Sequence, residues 1–251
     1  MRRPLRTAVL LLSLIAASCD SGPDNPRLSM FVGVDISGSF MNSGYYDDAI
    51  DFLARYLYAH INGLGGLEEP NVLFVSSIGG ADADDPKTFF PKQTFEDKSI
   101  EEIASKLREI FPQGVENPYT DYNAFFEQIA LMVRNRKLIL RPISIVMVSD
   151  GRPDVKKAGE TDFRSIQFKP LETLSRNITV RLLYTTADVG NKWQTRVPRS
   201  RVKVWTQDAE VMVSWKEPTI YLPDKPIAQQ ESFFRWVKEN VNYGVAARRV
   251  D

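Results

Sequence analysis

Short apolar segments rich in β-branched residues alternate along this chain with segments of helical periodicity. The clearest apolar run is 143–148, Ile-Ser-Ile-Val-Met-Val, and runs of the same kind lie at 30–34, 71–78 and 178–184. Between the first two, residues 45–61 place apolar side chains at helical spacing. Such alternation predicts an α/β protein, a three-layer α/β/α sandwich with a mostly parallel central sheet.

Further signals place the remaining elements. Ser99 followed by Glu102 is a capping box and predicts a helix that continues to about residue 110. A turn at 118–121 leads into a segment with one apolar side, which predicts another helix. A short strand is expected at 202–205 and a closing helix at 228–241.

Oxygen-bearing side chains follow two of the predicted strands. The first strand ends on Asp35, and Ser37 and Ser39 follow at alternate positions. The strand at 143–148 leads to Asp150 and then to a glycine. Hard cations such as Mg²⁺ prefer oxygen ligands, and open α/β sheets bind ligands at the carboxyl ends of their strands. For the first strand, the alternative is an ordinary polar loop between strand and helix.

The order and spacing of these side chains resemble the metal-ion-dependent adhesion site of von Willebrand factor A (VWA) domains. That site is written Asp-x-Ser-x-Ser, then Thr, then Asp, and its counterparts here are Asp35, Ser37, Ser39, Thr120 and Asp150. The resemblance covers most of the chain from about residue 29 to residue 241. It implies a VWA-like, Rossmann-like sandwich.

The resemblance also implies a set of roles. Ser37, Ser39 and Thr120 would coordinate Mg²⁺, or Mn²⁺, through their hydroxyl oxygens. Asp35 and Asp150 would hold the cation mostly through bound waters and supply negative charge. An acidic side chain of a protein partner would complete the coordination. The expected function is therefore a non-catalytic binding module.

Each position also has a purely structural interpretation. Thr120 suits a helix N-cap, and Thr88 or Thr161 are alternative threonines by composition. Ser39 would cap the first helix, and Asp150-Gly151 would form a tight turn. Asp154, close behind, is interpreted as part of a solvated loop.

The N-terminus predicts export and lipid anchoring. Residues 1–18 combine a basic start, a short apolar core and small residues, which is typical of a signal peptide. The small residues stand directly before Cys19, the single cysteine, and resemble a bacterial lipobox. Residues 19–28 then form a lipid-anchored tether, and 29–251 a VWA-like domain. The expected location is the bacterial cell envelope, facing the periplasm, and Asp20 favours retention in the inner membrane. An ordinary secretory signal with an incidental cysteine is the alternative.

Composition limits the remaining functions. Lysine plus arginine and aspartate plus glutamate both number 32, so no global charge favours nucleic acid. The chain has one histidine, His60, which lies on a predicted helix and is interpreted as a packed or surface residue.

The enzymatic alternative is a metal-dependent phosphohydrolase with Asp35 as nucleophile, although Ser37 stands where such enzymes carry a second aspartate. A structural envelope lipoprotein with a metal site unused in recognition is the third alternative. The basic segment 192–203 is expected to be a solvated loop between two strands.

Overall fold

The structure is a computed structural model, and it describes residues 26–79, 88–114, 120–153 and 162–243. The predicted signal peptide and Cys19 with most of its tether lie outside these residues, as do Asp154 and Thr161.

Six strands form one sheet in the order β3-β2-β1-β4-β5-β6. All neighbouring strands are parallel except β2 and β3, which are antiparallel at one edge. The two-residue β3 was not predicted, and β6 extends further than expected. The strands are β1 (Ser29–Val34), β2 (Val72–Ser77), β3 (Phe90–Pro91), β4 (Ile143–Val148), β5 (Ile178–Thr185) and β6 (Val202–Asp208).

The described part of the chain also contains α-helices and short 3₁₀ turns. The α-helices are α1 (Gly38–Met41), α2 (Tyr46–Ile61), α3 (Ile100–Ile110), α4 (Tyr122–Asn135), α5 (Lys169–Glu172), α6 (Ala187–Arg196), α7 (Ala209–Val213) and α8 (Glu231–Asn240). The capping box of Ser99 and Glu102 is present at the start of α3, as predicted. No described helix has the length and apolar character needed to cross a membrane.

The helices cover both faces of the sheet and create two hydrophobic cores. Helices α1, α2, α3, α7 and α8 pack on one face, and α4, α5 and α6 pack on the other. Along β1, Met30 and Val32 face the first core and Phe31 faces the second. Strands covered on both faces are expected to be apolar throughout. The structure confirms the predicted three-layer α/β/α sandwich with a mostly parallel central sheet.

The prediction of a loop at 192–203 is correct only for residues 197–201, because α6 ends at Arg196 and β6 begins at Val202. Its first part belongs to α6, where Thr186 caps the helix by accepting a hydrogen bond from the Val189 backbone N–H. Val189 and Trp193, four residues apart, are buried on one side of this helix. The basic residues around Trp193 masked this apolar pair in the sequence.

Candidate metal site

The carboxyl ends of β1 and β4 lie side by side at the centre of the sheet. The two strands are in register up to the pair Val34 and Val148. The Asp35 backbone N–H donates to the carbonyl oxygen of Val148 at 3.0 Å. The residues after both strands therefore emerge at the same edge, as the sequence predicted for Asp35 and Asp150.

The loop after β1 folds around the Asp35 carboxylate. The Ser37 backbone N–H donates to Asp35 Oδ1 at 2.8 Å, and Ser37 Oγ lies 3.2 Å from Ser39 Oγ. Ser37 is also the N-cap of α1, accepting from the Phe40 backbone N–H at 3.4 Å. Helix α1 was not predicted, and Ser37 caps it, whereas the N-cap of α2 is Tyr45. The alternative that Ser39 caps the first helix was therefore wrong. Ser39 is exposed.

Thr120 reaches the same carboxylate from a distant part of the chain. Its Oγ1 donates to Asp35 Oδ1 over a long 3.5 Å, and the residue is buried. The N-cap of α4 is Asp121, whose side chain accepts from the Ala124 backbone N–H at 3.0 Å. The interpretation of Thr120 as a helix cap was therefore wrong.

Asp150 follows β4 in a tight turn. Its Oδ1 accepts from the Arg152 backbone N–H at 3.0 Å, and Gly151 has a φ of +79°. A Cβ at Gly151 would lie 2.8 Å from Val189 Cγ1 and 3.1 Å from Thr185 Cγ2, so both backbone angle and space favour glycine. The turn exists, and it leaves the Asp150 carboxylate partly exposed beside Asp35.

Two residues that the sequence analysis did not assign complete the surroundings of Asp35. Ser149 Oγ donates to Asp35 Oδ2 at 2.5 Å, so its single proton is used there. The Tyr122 hydroxyl, 2.7 Å away, must then donate to Ser149 Oγ, which also accepts from the Gly151 backbone N–H. In the sequence, the only indication of a role for Ser149 is its position directly before Asp150 at the end of β4.

The Asp35 carboxylate is fully buried and forms no salt bridge with a described residue. Burial raises the pKa of Asp35 to about 6, against the lowering effect of the hydrogen bonds from Ser149 and Ser37, and the charge of Asp150 raises it further. A buried carboxylate without a counter-charge is costly. A hard cation beside it would supply that charge.

The donor set fits such a cation by its chemistry. It contains two carboxylates and three hydroxyls, all oxygen donors, as Mg²⁺ and Mn²⁺ prefer. Within the described ranges no group of three or more His, Cys, Asp or Glu side chains forms a metal cluster. A site rich in hydroxyls retains less negative charge than one built from carboxylates alone, so a bound cation would stay electrophilic.

A groove of about 490 Å³ opens beside this site. Ser39 and Asp150 form the end of the groove nearest to Asp35. Its other walls come from the loop before α2, the end of β5 and the start of α7. They include Ser43, Tyr45, Arg152, Tyr184, Thr186, Asp208 and Glu210.

The fold is the three-layer sandwich that the sequence resemblance to VWA domains predicted. No protein-family model matches the chain, and no curated protein matches it either.

Among solved structures, the chain is similar to proximal thread matrix protein 1 from the mussel byssus, with 10% identity and a TM-score of 0.47. That alignment covers 76% of this chain and 46% of the mussel chain, which is less than half its length. Manganese-loaded Plasmodium vivax TRAP protein is 15% identical, with a TM-score of 0.45 and coverage of 77% and 73%. The SpRpn10 VWA domain is 14% identical, with a TM-score of 0.37 and coverage of 76% and 95%. Because these identities and TM-scores are low, the candidate metal site is argued only from the geometry of this chain.

Proposed function

We propose that this chain is a non-catalytic VWA-like module that binds Mg²⁺ or Mn²⁺ at the edge of its sheet and grips a protein partner through that cation. The buried carboxylate of Asp35, which lies among hydroxyl donors and forms no salt bridge with a described residue, carries the proposal. Ser37, Ser39 and Thr120 would hold the cation through hydroxyl oxygens, with Asp150 adding charge at the exposed side. The cation would offer an open coordination position to an acidic side chain of the partner.

The surroundings of Asp35 favour this role over a catalytic one. A nucleophilic carboxylate must reach its substrate, whereas Asp35 is fully buried. Both of its oxygens already accept hydrogen bonds, from Ser37 and Thr120 on one side and Ser149 on the other. Ser37 offers a hydroxyl where a phosphohydrolase of this kind would carry an acid.

The module is further proposed to be lipid-anchored through Cys19 on the periplasmic side of a bacterial membrane, with Asp20 favouring the inner membrane. Strand β1 runs from Ser29 to Val34 and is about 20 Å long. The tether joins the domain at the first end of this strand, and the candidate site lies at the other end. The site would then face away from the membrane, toward a partner. A Cys19→Ser variant is expected in the soluble fraction; if it stays with membranes as the parent does, the anchor proposal fails.

Cation binding is tested by calorimetric titration of the purified protein with Mg²⁺ and with Mn²⁺. Ser39→Ala removes a proposed ligand from an exposed position, and it is expected to weaken binding at least tenfold. Ser43→Ala is the matched control, because this exposed loop serine hydrogen-bonds the Phe40 carbonyl instead. It should stay within twofold of the parent. Absence of binding by the parent, or equal effects of the two variants, would overturn the proposed site.

Recognition is tested by capture from envelope extract with the parent and with Ser39→Ala as bait. A partner retained by the parent in Mg²⁺ and released by a chelator supports the proposal. A partner retained equally with chelator contradicts cation-mediated contact. Hydrolysis of p-nitrophenyl phosphate that requires Asp35 would contradict the non-catalytic assignment.

A further inference from the structure

Strand β5 carries a β-bulge directly beside the candidate metal site. Its pairing with β6 shifts between Leu183 and Thr185, which leaves Tyr184 as the extra residue. Tyr184 has a φ of +73°, an angle that a bulky side chain rarely adopts. Bulges of this kind redirect side chains and are frequent next to functional sites.

The bulge changes which face each side chain reaches. Leu182 lies in the core under α4 and α6, whereas Leu183 and Tyr184, two consecutive residues, both lie in the core under α1 and α2. Without the extra residue, strict alternation would send Tyr184 to the opposite face. Thr185 then lies on the other face of the sheet, the face covered by α6, beside Gly151 and Val189.

The redirected residues contact both loops that carry the proposed ligands. The Tyr184 ring packs edge-on against Phe40, which directly follows Ser39, at a centroid distance of 6.3 Å. The methyl group of Thr185 lies against Gly151, which directly follows Asp150. One bulge therefore contacts both the loop after β1, which includes the single-turn helix α1, and the loop after β4.

A buried carboxylate on α2 holds the bulge in place. The Tyr184 hydroxyl donates to Asp48 Oδ2 at 2.8 Å. Asp48 also accepts from Trp215 Nε1 at 3.3 Å and from Lys216 Nζ at 2.6 Å. Burial and the Asp48 charge raise the pKa of Tyr184 well above its usual value, so the phenol keeps its proton and remains the donor.

We propose that Asp48 is a positioning residue for the metal site, which acts through the Tyr184 bulge to fix the loops bearing Ser39 and Asp150. This inference rests on the proposed function for its effect on cation affinity. Its structural part, that the Asp48–Tyr184 contact orders these loops, stands independently of any cation.

The test removes single hydroxyls from two buried tyrosines. Tyr184→Phe deletes the contact to Asp48, and Tyr56→Phe is the matched control. The Tyr56 hydroxyl donates to Asn242 Oδ1 at 2.8 Å, and Tyr56 belongs to the same core without lining the groove. Asp48→Asn is a third variant that keeps an acceptor while removing the charge.

Two measurements are made on each variant. Mn²⁺ affinity, measured by calorimetry at a temperature where all variants are folded, should fall about five- to twentyfold for Tyr184→Phe and less for Asp48→Asn. Hydrogen exchange of the metal-free protein should rise in peptides that cover 36–42 and 149–153. Tyr56→Phe should lower the melting temperature without either change.

The outcomes separate the two proposals. Equal loop exchange in Tyr184→Phe and Tyr56→Phe overturns the positioning role, whether or not a cation binds. Faster loop exchange with unchanged Mn²⁺ affinity also overturns it, because the contact would then be merely structural. A parent that binds no Mn²⁺ overturns the proposed function. The hydrogen exchange of the two loops then decides by itself whether the Asp48–Tyr184 contact orders them.

Discussion

The central residue of the site is also a source of instability in the metal-free protein. Asp35 is buried without a counter-charge from any residue in the described part of the chain, and its pKa is raised from 3.8 to about 6. Between these values the folded protein holds a proton that the unfolded chain has released. Stability therefore falls as the pH rises through this window, and above pH 6 the full cost is present.

Asp35→Asn is accordingly expected to stabilise the metal-free protein by about 2–3 kcal/mol at pH 7.5. The amide can be accommodated, because Ser149 Oγ can accept from it if the Tyr122 hydroxyl reverses and accepts from Ser149. Urea unfolding in a chelator measures the difference. The same variant should lose cation binding, so saturating Mg²⁺ should stabilise only the parent.

The same experiment at pH 4 provides an internal control. There the folded Asp35 carboxyl is protonated, whereas the unfolded one, with its pKa of 3.8, is still about half ionised. Less than about 1 kcal/mol of the advantage of the asparagine should therefore remain. An Asn variant less stable than the parent at pH 7.5 would show that Asp35 hydrogen bonding outweighs its burial cost.

At the scale of elements, helix α4 is seated directly on β1. Gly33 provides the space, since a Cβ there would lie 2.7 Å from Phe125 Cζ and 2.8 Å from Ile78 Cγ1. Phe125 is fully buried and cannot move away without cost. This close approach matters for the site, because the chain entering α4 carries Thr120 and its first turn carries Tyr122.

Gly33→Ala is expected to destabilise the protein by about 1–3 kcal/mol, the usual effect of overpacking a filled core. Phe125→Leu removes the atoms that the new methyl group would meet. The double variant should therefore lose less stability than the sum of the two single variants, as measured in a denaturant double-mutant cycle. Additive losses would mean that the Gly33–Phe125 approach does not limit the packing.

Most elements follow from local signals, whereas the contacts around the site do not. The apolar run of β4 and the Ser99–Glu102 cap identify their elements within the sequence itself. The Ser149–Asp35 hydrogen bond joins residues 114 positions apart and depends on strand register. The bulge at Tyr184 was also not foreseen, because a tyrosine with positive φ is imposed by tertiary contacts such as that with Asp48.

At the scale of the whole molecule, the chain's single histidine joins α2 to the segment after α8. His60 Nδ1 lies 2.8 Å from the Glu68 carbonyl oxygen, which can only accept, so Nδ1 carries the proton. His60 Nε2 is then free to accept from Asn242, 3.5 Å away. The ring packs edge-on against Tyr56, and the nearby Arg181 cation disfavours a second positive charge.

This environment predicts how the protein responds to acid. Burial first, and the Arg181 charge in addition, lower the pKa of His60 from 6.5 to about 4. Below pH 6.5 the unfolded chain binds a proton at His60 that the folded protein does not bind until about pH 4. The unfolded state therefore binds more protons in this window, and the His60 contribution to stability is lost as the pH falls.

His60→Gln removes the titrating group, so the stability difference between parent and variant isolates its effect from that of Asp35. Relative to the variant, the parent should lose about 2–3 kcal/mol between pH 7.5 and pH 4.5, measured by urea unfolding in a chelator. The remaining acidic and basic groups are common to both proteins and cancel in the difference. A difference that does not change with pH would show that His60 is protonated at the same pH in the folded and unfolded states.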